Sequence, residues 1–565
     1  MRVYEAIVKG LESIGVECAF GGAGENAASL MLALKHSRKI RTLVTRHEQA
    51  ASFMACGYAM YTNRLGFCFA TAGPGAFNLF SGLAVAMSDS YPVLAVSGYS
   101  SLAWEGKGAL NETSGRSRTP DSRKMFAACT KGSFLLTNEA QTCDLLEKAV
   151  NLAWEGRPGP VHIHVPEDLT RHGVSVDNYR DIRLEIAPLR PDPAEVVDAA
   201  RALGDASAQG KRIVALAGFG AVRSGAGPAL TALLERLRIP LVTTLDGKGI
   251  LPENHPLVVG LFCDSGHSAA WKLFREAEVV LAIGNSFAQH ATFDFRPDLL
   301  DDKTLIHINI DRGEINKVYR ADHAIAADAK LALEALGREM ASAAAAAPAR
   351  FEKHDYDMER INHLTGKIHP GQMVQALSRR LPPGSFVLAD AGAHAAWLGY
   401  YLELREGQRF RKPGSFGPMA GHINGALGLK CAHPDRHVIV GCGDGGYLLS
   451  GFELVTAVQY EIPVIWIIFN DGEFKLIKVY QLSAYGESGL VEFNNPDYAA
   501  YARACGADGY RVESLGEFED ALGAALSANR PALIDAAITR LALPHYSSSP
   551  AGVVPGLFER LEALL

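Results

Sequence analysis

Asp444 and Asp471 stand 27 positions apart in the stretch CGDGGYLLSGFELVTAVQYEIPVIWIIFNDGEF, residues 442–474. Two carboxylates at consecutive strand ends suit a hard divalent cation such as magnesium, which takes few protein ligands and completes its octahedron with phosphate and water. The run HVIVGCGDG is apolar and ends in glycines, as a buried parallel strand does when it enters a sharp turn. Small residues there let backbone approach a phosphate. The spacing of Phe452, Leu454, Val455 and Val458 predicts a helix, and IPVIWIIF predicts a second buried strand ending at Asn470 and Asp471. Neighbouring parallel strands bring their carboxyl ends to one edge, so both aspartates can face one cation in the crevice there. A GDG turn taken alone reads equally well as an Asp capping the next helix.

Glu48 is the second candidate. IRTLVTRHEQAASFMACGYAM predicts a strand ending near Thr45 and a helix beginning around Glu48, with Arg46 and His47 between them. A carboxylate in the first turn of a helix is electrostatically comfortable, so the residues alone leave a plain first-turn charge beside an acid/base role. His47 is assigned no chemistry. The turn TAGPG, residues 71–75, places Gly73 where backbone can come close to a reaction centre.

The whole span from GDG to ND resembles the thiamine-diphosphate signature of the acetolactate synthase and pyruvate oxidase group, and RHE followed by FATAGPGAFNLFSGLAVA resembles the pyrimidine domain of the same enzymes. The resemblance implies that Asp444, Asp471 and the backbone carbonyl of Glu473 hold Mg2+, with Gly443, Gly445, Gly446 and Phe474 around the diphosphate. Asp471 stands where the family usually has Asn and adds a negative charge. Glu48 would bond the aminopyrimidine ring nitrogen and favour the imino tautomer that deprotonates the thiazolium C2. DAGAHAAW resembles DVGQHQMW, which gives Asp390, Ala393 and His394 to the diphosphate, His394 as donor and Ala393 in place of a Gln. GSFGPMAGHINGALG resembles GGLGTMGFGLPAAIG, so Met419 would wedge between the cofactor rings and the Gly417 carbonyl would accept from the amino group. His422 replaces a glycine and is left facing phosphate, substrate or core.

The substrate side departs from the family. Glu25 follows FGGAG at a position commonly small; it either points at the reacting carbon, where it could repel an anion or bind a hydroxyl, amine or guanidinium, or caps the helix NAASLMLAL. Leu110 and Asn111 in ALNE replace the Phe and Gln of AFQE. Tyr480 takes the place of a Trp that helps choose the acceptor, and Leu476 and Ile477 line the same wall. The resemblance implies a lyase or carboligase that decarboxylates a 2-oxo acid such as pyruvate and passes the acyl-anion equivalent to an aldehyde or ketone. Simple decarboxylation, a flavin-linked oxidase and a non-catalytic homologue are the alternatives. It also implies a homodimer at minimum, often a homotetramer, because each site joins the pyrimidine domain of one subunit to the diphosphate domain of its partner.

These groups need several α/β domains to carry them. At 565 residues the chain exceeds one domain. The proline-rich IAPLRPDPAE (186–195) and the unpatterned ASAAAAAPAR (341–350) divide it at about 1–185, 190–342 and 355–565, giving three doubly wound parallel-sheet domains: pyrimidine-binding, central Rossmann-like and diphosphate-binding. An RP pair before the last strand in both GRPGPVHIHVPED and NRPALIDAAITR is a faint echo relating the outer two. The central GFGAVRSG lacks the spacing of a dinucleotide fingerprint and reads as a structural turn, so FAD stays possible without being predicted. A net charge of −7 argues against a nucleic-acid partner, and no apolar run reaches the length of a membrane span. Nine cysteines without a CxxC pair read as reduced thiols of a cytoplasmic protein. The tail PHYSSSPAGVVPGLFERLEALL is a candidate cover for the site.

Overall fold

The computed structural model describes residues 1–171, 179–341, 351–354 and 367–542, so most of the second linker and the C-terminal tail lie outside the described residues. The first sheet contains β1 (Cys18–Gly21), β2 (Arg41–Val44), β3 (Gly66–Ala70), β4 (Val93–Tyr99), β5 (Gly132–Leu135) and β6 (Val161–Pro166), in the order β2-β1-β3-β4-β6-β5. The second contains β7 (Ile213–Ala217), β8 (Leu241–Thr243), β9 (Val258–Leu261), β10 (Val279–Ile283), β11 (Thr304–Asn309) and β12 (His323–Ala326), in the order β12-β11-β10-β7-β8-β9. The third contains β13 (Phe386–Ala389), β14 (Arg409–Arg411), β15 (Val438–Gly443), β16 (Ile465–Asn470), β17 (Asp508–Val512) and β18 (Ala532–Ala537), in the order β14-β13-β15-β16-β18-β17.

Every pairing within these sheets is parallel. Helices cover both faces of such sheets, which is why the central strands are continuous apolar runs: all seven residues of β4 are buried. Counted within its own domain, the first sheet has the strand order of the third. The RP pairs, Arg157–Pro158 and Arg530–Pro531, precede the sixth strand of each, which in both sheets is inserted between the fourth and fifth. The middle sheet runs 3-2-1-4-5-6, the doubly wound order with its switch point between β7 and β10. Glycines after those two strands pack on each other: a Cβ on Gly218 would lie 2.5 Å from the Gly284 carbonyl oxygen. The GFG turn thus has a packing reason for its glycines.

The outer domains meet through the helices Glu48–Met60 and Gly421–Ala432. Their backbones touch, since a Cβ on Gly57 would sit 1.9 Å from the Gly425 carbonyl oxygen and one on Gly428 would sit 1.8 Å from that of Met54. One hydrophobic core runs from Phe20 and Leu43 through this crossing to Val440 and Trp466. All three domains converge on the buried Arg411, whose guanidinium pairs with Asp89 at 3.0 Å and Asp246 at 2.6 Å and lies 3.8 Å over the Phe219 ring.

Candidate active site

β15 and β16 pair with Gly443 opposite Phe469, so the residues just beyond each strand share one edge. Asp444 opens the helix Asp444–Ser450. Its Oδ1 accepts from the Gly445 N–H at 2.8 Å, and its Oδ2 accepts from the Gly472 N–H and Asn495 Nδ2, each at 2.7 Å. Tyr498 donates to the Asp444 carbonyl at 3.1 Å. Burial raises the Asp444 carboxyl above its ordinary pKa even so. Burial likewise pushes Asp471 up to about 7, against the pull of Lys475. The Lys475 ammonium lies 3.7 Å from Asp471 Oδ2 and pairs with the Glu473 carboxylate, which also takes Lys478 at 2.8 Å. The Glu473 carbonyl accepts from the Lys475 N–H at 2.9 Å and keeps a second lone pair.

Among the described residues, no three His, Cys, Asp or Glu side chains form a metal cage. Two carboxylates and a carbonyl, all oxygen, still fit Mg2+ that takes its remaining ligands from phosphate and water. A cavity of about 190 Å³ beside them is lined by Gly392, Ala393, His394, Met419, Asp444 and Asp471 among others, with Phe474, Leu476 and Ile477 on one wall. Gly443, Gly445 and Gly446 also line it, and a Cβ on Gly445 would come within 2.4 Å of the Phe474 ring. The N-terminus of the helix Ala393–Tyr401 opens on this cavity, where its N–H groups suit an anion.

Three side chains expected at this end have backbone hydrogen-bond partners within their own domain. His394 donates Nε2–H to the Asp390 carbonyl at 2.8 Å, and burial lowers its pKa to about 4. The neutral ring therefore presents Nδ1 as an acceptor beside Gly392 and Gly443, so donation to phosphate requires a second proton. The Asp390 carboxylate accepts from the Ala420 and His422 N–H groups at 2.7 and 3.2 Å, which anchors the start of the helix Gly421–Ala432. His422 belongs to the core: its Nδ1 donates to the Ala389 carbonyl at 2.8 Å, burial pushes it down to about 3, and it does not line the 190 Å³ cavity. Gly417, with φ +59, is exposed and borders a larger cavity of about 1460 Å³ between the three domains. Met419 is 36% exposed at the rim.

The other end is built on the first sheet. His47 caps the helix Glu48–Met60 by accepting from the Gln49 N–H at Nδ1, 3.2 Å, which places Glu48 in the first turn. Asn78 donates to Glu48 Oε2 at 2.9 Å. Gly22 and Gly75 form a slot for this carboxylate, since a Cβ on either would lie 2.6 Å from Glu48 Cγ or 3.0 Å from its Oε1. Gly24 packs on Thr71, whose hydroxyl accepts from the Asn26 N–H at 3.2 Å, so Glu25 is held beside the TAGPG turn. Gly73, at φ +64, abuts Asn111: a Cβ there would be 2.9 Å from Asn111 Cβ. Glu25, Glu48, Gly73 and Asn111 thus gather at one sheet edge, while Leu110 is 80% exposed and Tyr480 is exposed against Tyr485.

The two ends do not meet within the chain. Every residue lining the 190 Å³ cavity comes from 370–542, whereas the N–H groups of Arg46 and His47, next to Glu48, donate to Glu453 on another face of the third domain. Sequence reasoning misses Asn78, Asn495 and Lys475. Asn78 sits within the FATAGPGAFNLF motif as an unremarkable helix residue, and Asn495 lies 51 positions from the aspartate it holds, with no local pattern pointing to it.

Comparison with known proteins agrees with this division. Three family profiles match: the N-terminal thiamine pyrophosphate binding domain over residues 1–117, the central domain over 200–336 and the C-terminal thiamine pyrophosphate binding domain over 390–536. A probable acetolactate synthase large subunit of Methanococcus aeolicus is 32% identical over 95% of this chain and 92% of its own length. The large subunit of acetolactate synthase isozyme 2 of Escherichia coli is 28% identical over 96% of each chain. A probable 2-ketoarginine decarboxylase of Pseudomonas aeruginosa, AruI, is 32% identical over 94% of this chain and 93% of its own.

Proposed function

We infer the reaction of this chain from its family: it belongs to the thiamine pyrophosphate enzymes, as an acetolactate synthase-like carboligase or decarboxylase. A 2-oxo acid is the proposed donor, and an aldehyde, ketone or proton the proposed acceptor. The observation that carries this reading is the presence of a slotted, hydrogen-bonded Glu48 on the first domain and of a cavity bordered by Asp444 and Asp471 on the third. Bound thiamine diphosphate supplies a nucleophilic carbon and an electron sink for decarboxylation. Glu48 would exchange a proton with the pyrimidine ring nitrogen of the bound cofactor, and Asn78, by holding Oε2, would leave Oε1 for that nitrogen. Asp444, Asp471 and the Glu473 carbonyl would hold Mg2+, and Met419, which lines the same cavity, would wedge between the two rings and bring the reacting groups together.

A homodimer follows from the same reading, because a partner copy would place Glu48 over a cavity that its own chain does not bring to it. The exposed Leu448, Leu449 and Phe452 beyond Asp444 supply an apolar surface for that contact. Nine free cysteines, seven of them buried, support a reducing compartment such as the cytoplasm. Among the described residues, no helix is long and apolar enough to cross a membrane.

Glu25 favours a second reading of the substrate. A carboxylate beside the reacting carbon suits a 2-oxo acid with a cationic side chain, and one relative is named for 2-ketoarginine. Product profiling by mass spectrometry, with thiamine diphosphate and Mg2+, compares pyruvate and 2-ketoarginine as donors, each with and without an aldehyde and 2-oxo acid panel. Coupled products with carbon dioxide release support carboligation; the aldehyde alone supports decarboxylation; no consumption of any 2-oxo acid defeats both. Absence of a flavin spectrum removes the oxidase alternative.

A further inference from the structure

We propose that Lys475 is the built-in counter-cation of the metal site, neutralising the carboxylate that Asp471 adds so that the site discriminates against a bare divalent cation. This rests on Asp444 and Asp471 being the metal ligands.

Two acidic side chains, Asp471 and Glu473, and two lysines, Lys475 and Lys478, are packed at the opening of the helix Lys475–Tyr485. Lys478 pairs with Glu473 at 2.8 Å and extends toward the exposed Glu492 at 3.6 Å, so Glu473 has a partner without Lys475. Lys475 pairs with the other Glu473 oxygen, Oε1, and its ammonium also lies 3.7 Å from Asp471 Oδ2, so it bridges the two carboxylates. Arg540, the other nearby cation, donates to the Asp471 carbonyl at 2.5 Å and is not paired with its carboxylate. The Lys475 and Asp471 side chains are 7% and 5% exposed, so water and salt screen this pair little. The ammonium also donates to the Arg540 carbonyl at 2.6 Å. With Glu473, Asp471 and that carbonyl around it, Lys475 is held at the ligand set instead of reaching toward a substrate. Its charge opposes a lone dication and favours one that arrives with the diphosphate anion.

The test is Mn2+ binding to the full-length protein without cofactor, followed by electron paramagnetic resonance, in a charge cycle. Lys475→Met should bind Mn2+ about tenfold more tightly than wild type, and Asp471→Asn about tenfold more weakly, as expected for one unit charge in a partly desolvated site. The double variant D471N/K475M should return close to the wild-type affinity, and Lys475→Arg should leave it unchanged. A folded Lys475→Met that binds Mn2+ no better than wild type overturns the proposal. Should that variant fail to fold, the double variant must still bind more tightly than Asp471→Asn, and equal binding overturns it. Wild-type protein that takes up no Mn2+ even with thiamine diphosphate present overturns the metal site itself, a result distinct from a failed cycle.

Discussion

Asn78 gives Glu48 a direction. A carboxylate that accepts from an amide on Oε2 and lies in a slot between two glycines has one oxygen left to meet a ring nitrogen. Glu48→Gln should keep the fold and cofactor binding yet slow hydrogen–deuterium exchange at the cofactor C2 by about a hundredfold, within the usual range for a lost acid/base group. Magnetic resonance of the bound cofactor reads this directly, and undiminished exchange would refute the role. Asn78→Ala removes one hydrogen bond to a charged group and should slow the same exchange by about tenfold, since such a bond is worth about 1.5–3 kcal/mol. Glu25→Gly should change the preferred substrate more than cofactor affinity. Unchanged product ratios across donors and acceptors, together with unchanged titration by thiamine diphosphate, would exclude it from the pocket.

At the scale of elements, the crossing of Glu48–Met60 on Gly421–Ala432 has no room for a methyl group. Gly428→Ala places a carbon 1.8 Å from a backbone oxygen, which no rotamer relieves, so the two helices must separate. Overpacking of this kind costs about 1–3 kcal/mol or more and should lower the denaturation midpoint. Gly337 is the control: it lies within the helix Ala329–Glu339, and a methyl group added there would have nothing within 4 Å. Gly337→Ala should raise stability by about 0.5–1 kcal/mol through helix propensity. Loss of stability in both variants would show that the crossing is not the cause.

For the whole molecule, Arg411 links three domains through one buried charge. Arg411→Met leaves Asp89 buried without its partner and should cost about 3–5 kcal/mol, with a lower thermal midpoint and faster proteolysis between domains. Acid should act through histidines withdrawn from water. Burial lowers His164 and His422 to about 3, and His394 and His433 to about 4. The unfolded chain takes up those protons near pH 6.5, which the folded chain refuses, so stability is lost as pH falls from about 6.5 toward 4. Asp390 and Asp471, each raised to about 7, act in the opposite direction over the window from about 4 to 7 but are outnumbered by the four histidines. Melting followed across this range should show a net fall toward acid, with a shallower slope in His164→Gln. A flat profile would mean that these rings are not held neutral.

Much of the fold is legible in the chain itself. The apolar runs, glycine turns and proline-rich breaks specify three parallel α/β units, and the weak RP echo corresponds to a strand order shared by the outer two. The candidate site is legible where chemistry resides in a local motif: GDG and ND at successive strand ends, RHE at a helix start, TAGPG at a turn. It is not legible where a side chain's partner is remote in sequence. Motif position marks His394, Asp390 and His422 as cofactor or substrate groups, and only the fold shows that His394 Nε2, the Asp390 carboxylate and His422 Nδ1 also bond backbone of the same domain. Asn495 and Asn78 are invisible because a lone asparagine carries no pattern. The sequence by itself determined which groups and which strand ends could do the chemistry, because those are set by residue type and short-range periodicity. Tertiary structure alone decided which of those groups remain available, and that Glu48 and the diphosphate cradle stand apart in one chain, because hydrogen-bond satisfaction and burial depend on segments tens to hundreds of residues away.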